Sequence, residues 1–323
     1  MTEKYHPPIV SLHLNRKGGL VAPESIDTTQ VGETLTWHHI NYTSHIAKDW
    51  LDQEPRVNEV AQDILLRAET RPRFYMEDGF ILMCLRGVNL NPDEQPEDMI
   101  SIRLWVTEDT IISSCNRYSW SISDVRGALE QNAGPKSSGE FISLLIERLA
   151  IRVEEFFEEI DVNLDKQEDT LAGIGFDEFY AQISQLRRQS ATIKRYLTPQ
   201  KDALEKLYRS QSPLITKLDL DNIRDDLDKF TRLLEDIELT RERTIVLQEE
   251  YLARIAHQQN SRLYVLAIIS AIFLPLTFLT GALGMNIGGL PGLENDNAFL
   301  YVSIFCGLLA VGLLVWFKYK KWY

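Results

Sequence analysis

Cysteine is scarce in this chain, and so are the spaced motifs that mark catalysis. Cys84, Cys115 and Cys306 stand far apart with no C-x-x-C pair, which argues against a thiolate zinc knuckle and against a disulfide framework. They read as buried or lipid-facing apolar residues. The chain lacks a G-x-x-x-x-G-K-[ST] phosphate loop, a G-x-S-x-G elbow and an H-E-x-x-H helix, so neither an enzyme activity nor a cofactor is expected. Basic surface is lacking too. With 34 Lys and Arg against 47 Asp and Glu the formal net charge is −13, which argues against nucleic acid as a partner. The start, MTEKYHPPIV, has no basic stretch leading into an apolar core, so no cleavable signal peptide is expected.

Charge itself is missing from two runs near the C-terminus. Leu263 to Leu283 and Ala298 to Phe317 contain no Asp, Glu, Lys or Arg, although a quarter of the whole chain is charged and its mean hydropathy is only −0.19. Each run has about 20 residues, enough at 1.5 Å per residue to cross the roughly 30 Å hydrocarbon core as a helix. Arg254 and Arg262 precede the first run and Lys318, Lys320 and Lys321 follow the second, while the segment 284–297 between them carries Glu294 and Asp296 and no basic residue. Positive flanks face the cytoplasm. The expected arrangement is a multi-pass protein with both termini cytoplasmic, in the inner (plasma) membrane if the source is a bacterium, with Glu294 and Asp296 in a periplasmic loop that attracts cations.

Before the membrane the sequence divides. Residues 1–138 alternate β-prone runs (35–42, 80–90 and 99–115) with turns at Glu77-Asp78-Gly79 and Asn91-Pro92-Asp93 and a helical stretch at 56–69, predicting an α/β domain with a mixed sheet. Residues 139–259 are helical throughout, and 260–323 form the membrane part. Apolar residues at 141, 144, 145, 149, 153, 156, 157, 160 and 164 mark an amphipathic helix. The acidic residues between them, Glu154, Glu155, Glu158, Glu159 and Asp161, suit either a solvated face or a cation-attracting one. His38, His39 and His45 have neither the i, i+4 spacing of a helical metal pair nor an acidic partner at ligand spacing, so no tight metal site is assigned.

Proline and glycine are absent from Leu214 through Leu274. Ile223, Leu227, Phe230, Leu234 and Ile237 keep a 4-3-4-3 spacing within that stretch, predicting one continuous helix from about Leu220 into the membrane, roughly 90 Å for about 60 residues. So long a rod needs neighbours, and identical copies are the simplest source. On its apolar end Asn260, Leu263, Ala267, Ser270, Leu274, Thr277 and Gly281 recur at steps of three and four and share one face. That face is small or mildly polar, and the opposite one, with Ile268, Ile272, Phe273 and Leu279, is bulky. A stripe of this kind either packs helices closely or lines a conduit, and Asn260 and Asn286 at its two ends favour the conduit.

Gly284-Met285-Asn286 at the end of the first run, FLPLTFLTG at 273–281 before it, the short loop and the FKYKKWY tail together resemble the CorA family of divalent-cation transporters. The resemblance is close over 260–323. It implies a funnel-shaped homopentamer, with long stalk helices continuing as an inner ring and the second spans outside it. By position it puts Asn286 at the pore mouth, with Gly284 and Met285 beside it. Thr277, Leu274, Ser270, Ala267, Leu263 and Asn260 fall along the pore. Asp225, in IRDDLDKF, falls at the position of a regulatory metal-binding aspartate and equally suits a solvated carboxylate. Gly-Met-Asn-Ile-Gly-Gly-Leu-Pro-Gly is most similar to the ZntB branch, associated with zinc, which implies Zn²⁺ transport, with Mg²⁺, Co²⁺ or Ni²⁺ as the alternative cargo. The branch also implies proton-coupled uptake. Neither span holds an Asp, Glu, His or Lys, so proton carriers would lie at the ends: Glu294 and Asp296 outside, His257 or the stalk carboxylates inside. A membrane-anchored receptor or scaffold is the reading from another class, and it would not require the small-polar stripe.

Overall fold

The computed structural model describes residues 7–21, 34–68, 70–77, 79–170, 175–285 and 296–320. It divides into two compact units, 1–248 and 249–323.

The first unit is built on a six-stranded sheet. β1 (Ile9–Leu14), β2 (Leu35–Asn41), β3 (Arg73–Glu77), β4 (Phe80–Gly87), β5 (Ile100–Val106) and β6 (Thr110–Cys115) lie in the order β1-β2-β6-β5-β4-β3. The β2–β6 pair is parallel and the others are antiparallel, so the sheet is mixed. The apolar run 99–115 forms two of these strands, because Thr107 to Asp109 reverse the chain: the Thr107 hydroxyl donates to the Asp109 carboxylate at 2.9 Å and accepts from the Thr110 amide at 3.0 Å. β5 and β6 are buried along their whole length, as expected of strands covered on both faces.

Helices provide that cover. On one face α1 (His45–Asp52) and α2 (Glu59–Leu66) pack Leu51, Ala61 and Leu65 against Leu82, Trp105 and Ile112. The Asn58 side chain caps α2 by accepting from the Ala61 amide at 2.8 Å. On the other face lie α3 (Trp120–Glu130) and α4 (Ser138–Thr170), with the Phe141 ring edge-on to Trp37 at 4.9 Å. Gly87 sets how closely α4 approaches, since a Cβ there would come within 2.9 Å of a Leu149 methyl. Arg103 is fully buried in this sheet, and no carboxylate among the described residues pairs with it. Its guanidinium donates to the carbonyls of Arg67 and Ala68, where α2 has ended, and lies over the Tyr42 ring at 4.1 Å. Carbonyls at the end of a helix and an aromatic face thus receive the guanidinium.

The strand alternation separates the histidines. His38 faces α1, its Nδ1 at 2.8 Å from the Ser11 hydroxyl and its ring 4.8 Å from Trp50. His39 points to the other face, with Nδ1 at 2.7 Å from the Ser113 hydroxyl and Nε2 at 3.4 Å from Cys115 Sγ. His45 is exposed at the start of α1. Burial pushes the Cys115 thiol up to about 12, which leaves it uncharged and a poor metal ligand. Among the described residues no group of three His, Cys, Asp or Glu could hold a metal ion.

α5 (Phe176–Arg209) and α6 (Lys217–Leu283) complete the helical part. α6 is continuous for 67 residues, as the missing Pro and Gly predict. Its buried seam differs in detail from the expected one. Ile223, Asp226, Phe230, Leu233, Ile237, Thr240, Thr244, Leu247 and Tyr251 are buried at a regular 3-4 spacing, while Leu227 and Leu234 are only half-buried. Three polar residues hide this seam from a hydrophobicity pattern. Asp226 is held by Lys229 at 2.8 Å, and the Thr244 hydroxyl donates to the Arg241 carbonyl at 2.7 Å. Burial, outweighing the Lys229 bond, pushes the Asp226 carboxyl up.

Burial, with Arg56 nearby, lowers His38 from 6.5 to about 4, so the folded chain keeps it neutral where an unfolded chain would protonate it. This contribution to stability is complete above pH 6.5 and is lost as pH falls toward 4. The thermal midpoint of the first unit, followed by near-ultraviolet circular dichroism, is expected to fall across that window. His38→Gln should flatten the fall.

Candidate ion pathway

The second unit contains the end of α6 and α7 (Ala298–Tyr319), two helices long and apolar enough to cross a membrane. Pro275 lies within α6 and leaves the Ala271 carbonyl without its ladder donor. The helix closes with the Gly284 amide donating to the Thr280 carbonyl at 2.9 Å. Glycine suits that end, because a Cβ on Gly284 would come within 3.0 Å of the same carbonyl oxygen.

Each helix of this unit has one covered stripe. On α6, Tyr264, Ile268, Ile272, Pro275, Leu276, Leu279 and Ala282 are half-buried. On α7, Ala298, Val302, Cys306, Leu309 and Leu313 are half-buried and Phe317 is buried, again at steps of three and four.

The predicted conduit face of α6 lies on the other side. Asn260, Leu263, Ala267, Ser270, Leu274, Thr277 and Gly281 are all exposed, Leu274 at 72% and Leu263 at 63%. At 100° per residue this row is centred about 140° around the helix from the covered stripe. A Cβ added at Gly281 meets nothing within 4 Å, so no packing inside the chain requires glycine there. Gly284 and Met285 are exposed at the end of the row. Asn286 and Glu294 lie outside the described residues. Asp296 is exposed just before α7.

Further from the apolar runs, Asp225 is exposed on α6 and His257 is exposed above the span. Beside Asp225 sits the buried Asp226, whose carboxyl also senses the charge of Glu147. The sequence reading named Asp225 and missed Asp226, since a lone acid in a helical run gives no sign of its burial.

Of the acidic residues on α4, Glu154, Glu155, Glu158 and Glu159 are exposed. Asp161 does something else. With Asp165 and Glu168, one and two turns on, it holds the guanidinium of Arg243 on α6, at 2.8, 2.5 and 2.9 Å. Those bonds push the Arg243 guanidinium further up. The i, i+4, i+7 carboxylates were visible in the sequence, but their partner 75 to 82 residues away was not. Lys194 on α5 likewise pairs with Glu238, and Arg187 donates to Gln248 at 2.8 Å. The carboxylates of one α4 edge are therefore committed to fastening α6.

The sequence pattern of the family described as "CorA-like Mg2+ transporter protein" matches residues 32–320. The chain is 32% identical over 322 residues to the zinc transport protein ZntB of Yersinia pseudotuberculosis, covering 97% of this chain and 95% of that one. It is 35% identical over 294 residues to the divalent cation transporter CmaX of Pseudomonas aeruginosa, covering 90% and 87%. The solved structure of full-length CmaX superposes with a TM-score of 0.83 over 98% of both chains.

Replacing Arg243 removes one cation from three partly exposed carboxylates. The expected cost of Arg243→Met is about 1 kcal/mol, larger at low salt, seen as a fall of roughly 2–4 °C in thermal midpoint. An unchanged midpoint at 20 mM salt would mean that the three ion pairs do not fasten α6.

Proposed function

The chain belongs to the CorA-like Mg²⁺ transporter family, and from that membership we propose that it carries Zn²⁺ across a bacterial inner membrane through a five-fold pore. Membership makes it a divalent-cation transporter of the membrane, and the relatives it matches are transporters. The pore reading rests on one observation: the small-polar face of α6 is left uncovered by its own chain, on the side away from the stripe that is covered. In hydrocarbon such a face gains nothing over an ordinary apolar helix. Around a water-filled axis shared by five copies it has a use.

Three further features support copies of the same chain as the neighbours. Leu239 and Val246, one heptad apart, are exposed at 56% and 62% on the side of α6 away from its buried seam. Gly281 is open to close approach. The negative balance of the chain would make a cytoplasmic vestibule built from several copies attract cations, over a Debye length of about 8 Å at physiological salt. In functional terms we divide the chain into a cytoplasmic α/β domain (1–138), a helical stalk region (139–259) and a membrane domain (260–323), with both termini cytoplasmic.

Within this reading five Asn286 carboxamides would offer neutral oxygens to the water shell of a divalent ion, without holding the bare ion too tightly to leave. Leu274 and Leu263 rings would be the apolar constrictions, and Ser270 and Thr277 would hydrate the path between them. Zinc as cargo is supported by the similarity to ZntB proteins across 97% of the chain. Magnesium is the second reading, favoured by the description of the matching family. Asp225 remains our candidate for a regulatory metal contact, and Glu294, Asp296 and His257 for proton transfer.

Liposomes carrying the purified chain test this directly. Zn²⁺ should enter, more slowly by at least tenfold in Asn286→Ala, and faster with an inward proton gradient. Mg²⁺ flux exceeding Zn²⁺ flux at equal concentration would transfer the assignment to magnesium. No flux of either ion from a well-folded oligomer would leave a membrane-anchored receptor. In the same assay Leu274→Asn is expected to raise the flux several-fold, since a polar ring keeps the constriction wet, and an unchanged rate would place the constriction elsewhere.

A further inference from the structure

α3 leaves a gap over the β1 edge of the sheet. One face of the helix, at Ser119, Ile122, Ser123, Arg126, Gly127 and Glu130, lines a cavity of about 330 Å³. Val10 and Leu12 of β1 and Trp37 and His39 of β2 line it from the sheet. The helix positions recur at steps of three and four, so the cavity follows α3 for about 16 Å at 1.5 Å per residue. The sheet side offers mainly carbon. Trp37 Nε1 donates to the Ser113 hydroxyl at 2.8 Å, and the ring nitrogens of His39 lie 2.7 Å from Ser113 Oγ and 3.4 Å from Cys115 Sγ.

One end of the cavity is rich in hydrogen-bond donors. Ser119 is the N-cap residue of α3 and only 5% exposed, yet its hydroxyl makes no cap bond and has no other partner among the described residues. That oxygen stays within reach of a water-sized molecule, and the cavity is the space the residue lines. Ser123, one turn on, accepts from the Tyr118 hydroxyl at 2.6 Å, so its own proton is left to donate. No Asp or Glu stands in the first turn, where the helix amides lack ladder partners. Donors at a helix N-terminus with no carboxylate of the chain to receive them call for a ligand that brings an anionic acceptor. Its charge is limited. Arg126 is the one Lys or Arg in the lining, and Glu130 holds it at 2.9 Å, so a single negative charge fits and a phosphate dianion does not.

Gly127 points to the same kind of occupant. It lies in the interior of α3, and a Cβ there would meet nothing within 4 Å, so no packing among the described residues asks for glycine, the poorest helix former after proline. What a side chain would take up is room in the cavity. We propose that this cavity holds a small carboxylate with an unbranched apolar tail, its charged end at Ser119 and its tail laid between Ile122, Gly127 and the Trp37 ring. The volume suits a small organic ligand, at the lower end of the usual range of about 300–1,000 Å³. The site lies wholly within the first unit, apart from the α6 face discussed above. It does not depend on the pore reading, since a chain that moves no ion across a membrane could still bind a carboxylate here.

The probe is hexanoate, with hexylamine and 1-hexanol as tails of equal length that carry a cation or no charge. Binding to the full chain in lipid nanodiscs is measured by calorimetry at neutral pH, with empty discs as the blank. One hexanoate per chain is expected, with both controls at least tenfold weaker. Ser119→Asp gives α3 its own capping carboxylate where the ligand's would sit. It should raise the ligand-free thermal midpoint and weaken hexanoate at least tenfold, two effects that a merely unfolded variant could not combine. Gly127→Leu fills the cavity and should abolish binding without lowering the midpoint, which keeps the test open if the first variant does not fold. Absence of binding to the parent, hexanol held as tightly as hexanoate, or the same isotherm in parent and both variants overturns the proposal. Binding that appears only after removal of residues 1–6 would assign the cavity to the chain's own N-terminal segment and overturn it as well.

Discussion

One uninterrupted hydrogen-bonded ladder, Lys217 to Leu283, is the constraint on which the rest depends. A helix satisfies its own backbone whatever surrounds it, which is why the same element can serve first in a protein interior and then in hydrocarbon. The side chains must then change solvent along its length. In the first unit α6 presents a seam of alternating three and four residues to its own domain, and in the second it presents an apolar stripe on one side and a small-polar row on the other. The absence of Pro and Gly from 214–274 is what this continuity demands, since each would weaken the ladder by about 1 to 3 kcal/mol.

The seam in the first unit is not purely hydrophobic, and its polar members make a physical point. Asp226, Thr240 and Thr244 are as buried as Phe230 and Ile237. A buried acid is tolerable where a cation stands on the next turn, as Lys229 does, and a buried threonine where its hydroxyl turns back to the helix carbonyls, as Thr244 does. Polar fasteners then take over at the edges of the seam. Arg243 draws together carboxylates spaced along two turns of α4, while Lys194 and Arg187 bind the helix from α5. Bonds of this sort are exposed enough to exchange with solvent, whereas the apolar seam is not. The helix is thus held firmly along one line and adjustably along two others.

Legibility followed the same division between periodic and non-local information. The charge-free runs and the 3.6 period made the long helices and both apolar segments readable, and α/β alternation made the sheet domain readable as a class. Strand order was not, because a parallel β2–β6 pairing joins residues more than 70 positions apart. Nor was the 226, 240, 244 seam, since polarity hides burial wherever a partner compensates it. For the candidate pathway, the row from Asn260 to Gly281 was already drawn by spacing alone. What spacing lacked was the other side of the helix. The half-buried stripe on α6 and its counterpart on α7 give the row a direction, away from the chain's own cover.

The oxygen chemistry of the chain points to how such a protein treats its ion. Zinc sites that bind tightly use sulfur and imidazole nitrogen in groups of three or four. Here the cysteines are single, Cys115 is kept protonated by burial, and adjacent histidines are sent to opposite faces of a strand. Such a chain has no described place in which to trap zinc. A transporter gains from that, because an ion that sheds its water for thiolates and imidazoles leaves slowly, and flux falls with every tenfold of residence time. In the pore proposed above, hydroxyls at Ser270 and Thr277 and carboxamides at Asn260 and Asn286 would address the water around the ion instead. On that proposal selection would act on hydrated charge and size, and the preference for one divalent metal over another would come from how fast each exchanges that water at the proposed apolar constrictions.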